Sequence, residues 1–148
     1  MFYSVAQHSV LVSDMTPDPS LKLAALLHDA HEAYSGFGDV LRPAKWLDPY
    51  VRDFLSRHTS AVDEAIASRF GILAKWMHSP AIKHWDDVAL ATEARDLMLA
   101  PPCPWESLPT PWAKVIFPLD ITSSYRLFKE RLDELWTKQA VSAKGGEG

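Results

Sequence analysis

The apolar residues of this chain recur at helical spacing, and the breaks between the periodic stretches predict where helices end. The first predicted helix runs from Val5 to Met15 and ends at segment 16–19, whose two prolines cannot continue a helix. The stretch from Leu21 to about Tyr34 is apolar nearly all round, which is typical of a helix buried at the centre of a bundle. No segment of useful length alternates between apolar and polar residues, so we expect an all-α fold.

Three later helices complete the predicted bundle. They run from about Pro49 to Phe70, from about Ala81 to Leu99 and from about Ile121 to Trp136. Gly71 is placed to end the first of them, and Ser79 is placed to cap the second. Residues 101–118 carry six of the eleven prolines and two tryptophans, which predicts an irregular Pro/Trp-rich wrap over the bundle before the C-terminal helix.

The length of 148 residues is ordinary for one globular domain with one core. Hydrophobic residues make up 47% and charged residues 23% of the chain, which excludes a disordered protein. We therefore expect a single helical domain over residues 1–140 and a flexible tail over residues 141–148.

Charge and cysteine content exclude several classes of function. The formal net charge is −4, with 15 basic and 19 acidic residues and no basic cluster, so a nucleic-acid duplex is not an expected partner. Cys103 is the single cysteine, which excludes an intramolecular disulfide framework and a cysteine-rich zinc site. The apolar runs are too short to cross a membrane and no signal sequence opens the chain, so we expect a cytoplasmic protein without a membrane partner.

Polar residues interrupt the most apolar predicted helix. His28 and Asp29 lie in its middle, and Glu32 follows three residues after Asp29, so the three side chains project toward the same side within about one turn. Burying a carboxylate without a partner costs several kcal/mol. The sequence therefore predicts a ligand or a partner for these side chains.

Asp86 and His8 repeat this anomaly on two other predicted helices. Asp86 shares a helix face with Ile82 and Leu90, a face that the helix should bury; the neighbouring Asp87 is the less favoured alternative. His8 supplies a second imidazole. Two imidazoles and two carboxylates form a mixed nitrogen and oxygen set that suits a divalent ion such as Mn, Fe, Co, Ni or Zn.

The order His8, His28-Asp29, Asp86 resembles the H…HD…D motif of the HD-domain metal-dependent phosphohydrolases. Segments 3–10, 25–33, 38–45 and 90–98 are similar to the bacterial and phage branch near the 5′-deoxynucleotidases, so the resemblance covers about residues 3–100. It implies an HD-domain helical bundle and, for this branch, a homodimer or larger homo-oligomer.

The resemblance also assigns roles to individual residues. It implies that His8, His28, Asp29 and Asp86 bind one divalent ion, which is Mn, Co, Fe, Ni, Zn or Mg. Glu32 matches the general acid/base of the nucleotidases, so Glu32 and Asp29 are the expected catalytic residues. Three residues of the connector are the expected substrate-binding residues: Asp39 matches a position that contacts the sugar hydroxyl, and Arg42 and Lys45 are the nearest cations for a phosphate.

The activity that the resemblance implies is metal-dependent hydrolysis of the phosphate ester of (deoxy)nucleoside 5′-monophosphates. In the nucleotidases an Arg-Trp pair before the first ligand contacts the substrate; Met1 lies only seven residues before His8, so we expect that contact to be missing. Three alternatives stay open: release of triphosphate from dNTPs by the same metal site, a nucleotide-binding sensor with little turnover, and a buried ion-pair network without a ligand.

Overall fold

The computed structural model describes residues 3–38, 48–100 and 108–145, and within these ranges the fold is all-α without strands. This confirms the predicted fold class. The helices are α1 (Val5–Met15), α2 (Lys22–Leu27), α3 (His31–Tyr34), α4 (Pro49–Phe70), α5 (Ala74–Met77), α6 (Pro80–Leu97) and α7 (Ile121–Gly145).

Helix α1 lies at the centre of the fold and packs against α2, α6 and α7. Its N-terminus is capped by Ser4, whose hydroxyl accepts a hydrogen bond from the Gln7 amide at 3.1 Å. Apolar side chains of these helices form one buried core. Val12, Leu26 and Ile82 are among its fully buried members. The core thus holds α1 and α6, which carry His8 and Asp86, and α2, which ends directly before His28 and Asp29.

The predicted helix from Leu21 to Tyr34 is divided into α2 and α3. Between them the backbone hydrogen bonds join residues three apart: the Ala30 amide donates to the Leu27 carbonyl at 3.0 Å, and the Glu32 amide donates to the Asp29 carbonyl at 3.0 Å. Bonds between residues three apart are those of a 3₁₀ turn, in which side chains three apart eclipse one another. The break therefore turns Asp29 and Glu32 to the same side of the chain.

Gly71 at the end of α4 and Ser79 at the start of α6 act as predicted, and Asp48, which was not predicted as a cap, caps the start of α4. The Asp48 carboxylate accepts hydrogen bonds from the Tyr50 and Val51 amides at the start of α4, and Gly71 ends that helix with a left-handed φ of 69°. Ser79 caps α6 by accepting from the Ile82 amide at 3.4 Å. Short caps of this kind fix where a helix begins, and α6 begins six residues before Asp86.

Residues 108–118 form an irregular segment over α6, as predicted, while residues 101–107 of the same stretch lie outside the described ranges. Arg95 donates to the carbonyls of Trp112 and Lys114 at 2.7 and 2.9 Å, and Asp96 accepts from the Ile116 amide at 2.9 Å. The segment is thereby held to the last turn of α6.

Helix α7 extends to Gly145, beyond its predicted end at Trp136. The mobility of residues 141–148 stays a prediction, and residues 146–148 lie outside the described ranges. None of the helices in the described part of the chain is long and apolar enough to cross a membrane.

Candidate metal centre

The structure brings the four predicted metal ligands together from three parts of the chain. His8 comes from α1, Asp86 from α6, and His28 and Asp29 from the turn between α2 and α3. The Nε2 atom of His8 lies 3.2 Å from Asp86 Oδ1 and 3.7 Å from Asp29 Oδ2. The Nε2 atom of His28 lies 3.2 Å from Asp29 Oδ2 and 3.9 Å from Asp86 Oδ1.

Both imidazoles are held by their Nδ1 atoms. His8 Nδ1 lies 2.6 Å from Glu93 Oε1, and His28 Nδ1 lies 2.8 Å from the Ala25 carbonyl oxygen. Because both acceptors require a proton on Nδ1, they turn each Nε2 toward the carboxylates. A histidine that ligates a metal ion almost always donates its other ring N–H to a carboxylate or carbonyl in this way.

The two Nε2 atoms are buried and make no aligned hydrogen bond within the described residues, although carboxylate oxygens lie nearby. His28 is only 5% exposed. Buried polar atoms in proteins are nearly always satisfied, so these two nitrogen atoms beside two carboxylates call for a positive charge between them, from a metal ion or from protons on the rings. Ligand atoms of His8, His28 and Asp29 lie within 4.8 Å of one another, so this group can hold a metal ion, and Asp86 borders it.

The charges of the cluster favour the same conclusion. Burial alone lowers the pKa of His8, but the carboxylates of Asp86 and Glu93 raise it to about 10. Burial likewise lowers the pKa of His28, and the carboxylates of Asp29 and Asp86 raise it to about 9. Without a metal ion, the carboxylates thus attract protons to the imidazoles. A divalent cation supplies the same positive charge in their place.

Asp86 and Asp87 differ clearly in their surroundings. Asp86 Oδ1 faces both imidazoles, whereas its Oδ2 accepts a hydrogen bond from Lys83 Nζ at 2.9 Å. Asp87 pairs with Lys83 and is absent from the cluster. Lys83 therefore neutralises part of the acidic charge of the cluster, which the sequence motifs gave no reason to expect. Because Lys83 contacts only the Oδ2 atom of Asp86, the Oδ1 atom still faces the imidazoles.

Glu32 lies beside the four ligands, on α3. One carboxylate oxygen of Glu32, one of Asp29 and one ring nitrogen of His31 lie within 4.8 Å of one another. The buried carboxylate of Asp63 holds His31, since Asp63 Oδ1 lies 3.1 Å from His31 Nδ1 and Asp63 Oδ2 lies 2.7 Å from His78 Nε2. Asp63 thus connects α3 with α4 and with the turn before α6.

A groove of about 930 Å³ opens next to Asp29 and Glu32. Helices α1, α3, α4 and α7 form its walls, and most of its lining is apolar. The candidate metal centre therefore has a carboxylate side that faces an accessible space large enough for a small organic molecule.

The predicted substrate-binding residues Asp39, Arg42 and Lys45 lie outside the described residues. Sequence reasoning missed Glu93 and Asp63, the two carboxylates that hold histidines of this region. Glu93 is 7% exposed and Asp63 is 2% exposed, so both are acidic residues in the buried part of a helix. An acidic residue on a helix face that should be buried is the same feature that pointed to Asp86, and it could have pointed to Glu93 and Asp63 as well.

Comparison with known proteins places the chain among one set of relatives. No family model matches the sequence, and no solved structure matches it. The chain is 37% identical over 137 residues to the uncharacterized protein YfdR of Escherichia coli strain K12. The matched region covers 90% of this chain and 72% of YfdR. At that identity and coverage, the chain belongs to the family of YfdR.

Proposed function

We propose that this protein is a metal-dependent phosphohydrolase of the HD-domain type that hydrolyses the phosphate ester of (deoxy)nucleoside 5′-monophosphates. The observation that carries the proposal is the pair of buried imidazole Nε2 atoms, on His8 and His28, that make no aligned hydrogen bond and face the carboxylates of Asp29 and Asp86. The resemblance of the motif to HD-domain phosphohydrolases supplies the reaction class.

The four ligands come from elements that the core holds together, so they form one site before any ligand arrives. A divalent ion bound there would lower the pKa of a water molecule and polarise a phosphoryl oxygen. His8 and His28 would contribute nitrogen ligands, whose orientation is fixed by Glu93 and the Ala25 carbonyl. Asp29 and Asp86 would contribute oxygen ligands and balance the charge of the ion.

Glu32 supplies the acid/base function in this proposal. The 3₁₀ turn places its carboxylate next to that of Asp29, on the side that borders the groove. A carboxylate at this position can orient the attacking water, and in its protonated form it can donate a proton to the leaving alkoxide. Both roles require that the phosphate ester enters from the groove.

Metal content and phosphate release test the proposal together. The purified protein is expected to contain about one divalent ion per chain and to release inorganic phosphate from nucleoside monophosphates when Mn, Co, Mg or Zn is supplied. Asp29→Ala should lose both the ion and the activity, whereas Glu32→Gln should keep the ion and lose most of the activity. Glu130→Gln, at an exposed position on α7, is the matched control and should behave as wild type.

Other outcomes would overturn parts of the proposal. Release of tripolyphosphate from dNTPs without action on monophosphates would identify a triphosphohydrolase. Bound metal without turnover would identify a binding protein. A protein that takes up no metal under any condition would show that the cluster is an ion-pair network, with the imidazoles neutralised by protons instead.

A further inference from the structure

The groove beside the candidate metal centre is lined mainly by apolar side chains. Its lining includes Val62, Ile66 and Phe70 from α4 and Phe128 and Leu132 from α7. Covering these apolar side chains with an apolar part of a ligand is favourable because it removes apolar surface from water. The apolar side chains themselves offer no hydrogen bonds to a ligand. The groove therefore suits the flat or apolar part of a ligand.

Asp29 and Glu32, which belong to the candidate metal centre, are also part of the lining of the groove. A phosphate ester whose phosphate group lies at the cluster can therefore extend its organic part into the groove. Elsewhere in the lining, His58 Nε2 is hydrogen-bonded to the Ser35 carbonyl oxygen at 3.0 Å, and the Arg69 guanidinium lies 4.6 Å from the Trp136 ring centroid. His58 Nε2 therefore already has a partner within the protein, and Arg69 packs against an aromatic ring.

We propose that this groove binds the organic part of the phosphate ester and selects it by burial of a flat apolar surface, not by hydrogen bonds to base edges. The inference rests on the proposed function and narrows its substrate class. Purine and pyrimidine monophosphates are then accepted to a similar extent, and non-nucleotide aromatic phosphates are accepted as well. Small polar phosphate esters are poor substrates.

Two alanines on α4 allow the groove to be filled without disturbing the core. Ala61 and Ala65 line the groove and are exposed, so a phenylalanine at either position occupies ligand space and displaces no buried neighbour. Ser60 is exposed on the same helix and is absent from the lining. Ser60→Phe is therefore the matched control for Ala65→Phe and Ala61→Phe.

The first test compares kcat/KM for thymidine monophosphate, deoxyadenosine monophosphate, 1-naphthyl phosphate and glycerol 3-phosphate. Wild-type protein should prefer the three aromatic esters over glycerol 3-phosphate by at least about tenfold, as expected for burial of an aromatic surface. Ala65→Phe should lower kcat/KM for the aromatic esters at least about tenfold, mainly through KM, and leave glycerol 3-phosphate unchanged. Equal effects on all four esters would refute the proposal.

The second test needs no turnover and separates this inference from the proposed function. Binding of thymidine, deoxyadenosine and 1-naphthol to the metal-loaded protein is measured by calorimetry. We expect binding to wild type and to Ser60→Phe, and binding at least about tenfold weaker to Ala65→Phe. If wild type hydrolyses no ester, this pattern still supports the groove. Undiminished binding to Ala65→Phe, no binding to wild type, or a preference above about 100-fold between the two nucleosides would refute it.

Discussion

Glu93 is the residue whose replacement tests the metal centre most directly. Its Oε1 atom accepts hydrogen bonds from His8 Nδ1 at 2.6 Å and from the Tyr3 hydroxyl at 2.9 Å. Glu93→Gln keeps an oxygen in that position but removes the negative charge. The imidazole then loses a charge-assisted hydrogen bond, which is roughly twice as strong as a neutral one. We expect His8 to become a weaker and less firmly oriented ligand.

The magnitude follows from the geometry of this contact. Replacing the partner of a ligating histidine typically lowers metal affinity about 10- to 100-fold, and we expect Glu93→Gln to fall in that range. Glu93→Ala removes the acceptor and leaves the His8 Nδ1 donor without its partner, at a cost of about 1–3 kcal/mol, and it also releases the half-buried Tyr3 hydroxyl. The alanine variant should therefore lose about 2 kcal/mol or more of unfolding free energy as well as metal affinity.

The assay is a competition titration of the protein with a chromophoric chelator of known affinity, with urea unfolding monitored in parallel. Glu130→Gln, at an exposed position on α7, should match wild type in both measurements. If Glu93→Gln binds the ion within twofold of wild type while remaining folded, then Glu93 does not orient a ligand and His8 is not part of the metal site.

Two further predictions concern the carboxylates around this centre. Asp86→Asn should abolish metal uptake in elemental analysis whereas Asp87→Asn should retain it, because Asp86 Oδ1 faces the imidazoles and Asp87 pairs with Lys83; equal metal content in both would contradict the ligand assignment. Burial raises the pKa of Asp63, but His31 and His78 lower this pKa below its ordinary value. The ionised Asp63 carboxylate therefore stabilises the fold above about pH 4, and this stabilisation is lost as the pH falls further. Asp63→Asn should therefore cost about 3 kcal/mol of unfolding free energy near pH 6, and the difference from wild type should shrink toward pH 3; a difference that does not depend on pH would show that the ionised carboxylate is not what His31 and His78 stabilise.

Helix positions were predictable where the signal is local. The bounds of α1 and α4 agree with the sequence prediction because the prolines after α1 and Gly71 after α4 act within one turn of the helix end. The division between α2 and α3 was not predicted. Periodicity reports only which residues are apolar, and His28 and Ala30 keep right-handed helical backbone angles while the hydrogen bonds of the turn change from four-residue to three-residue spacing.

The candidate site was predictable for a different reason. His28, Asp29 and Asp86 stand out because each places a polar group on a face that the helix should bury, and such a placement is retained only with a partner. The structure brings these residues and His8 to one point, although Asp86 and His8 lie on separate helices. A polar residue on a helix face that should be buried indicates that this residue has a partner. The H…HD…D motif indicated which residues lie together around that partner.

The contacts that hold the histidines were beyond the reach of the sequence because they join residues far apart in the chain. Glu93 reaches His8 across 85 positions, and Asp63 reaches His31 across 32. The helical position of each acid could have indicated that it is buried and has a partner, but only the packing of α1 on α6 and of α3 on α4 gives it a histidine to hold. The orientation of an imidazole depends on such a partner, so Glu93 decides how His8 faces the candidate metal centre, and Asp63 fixes His31 beside that centre.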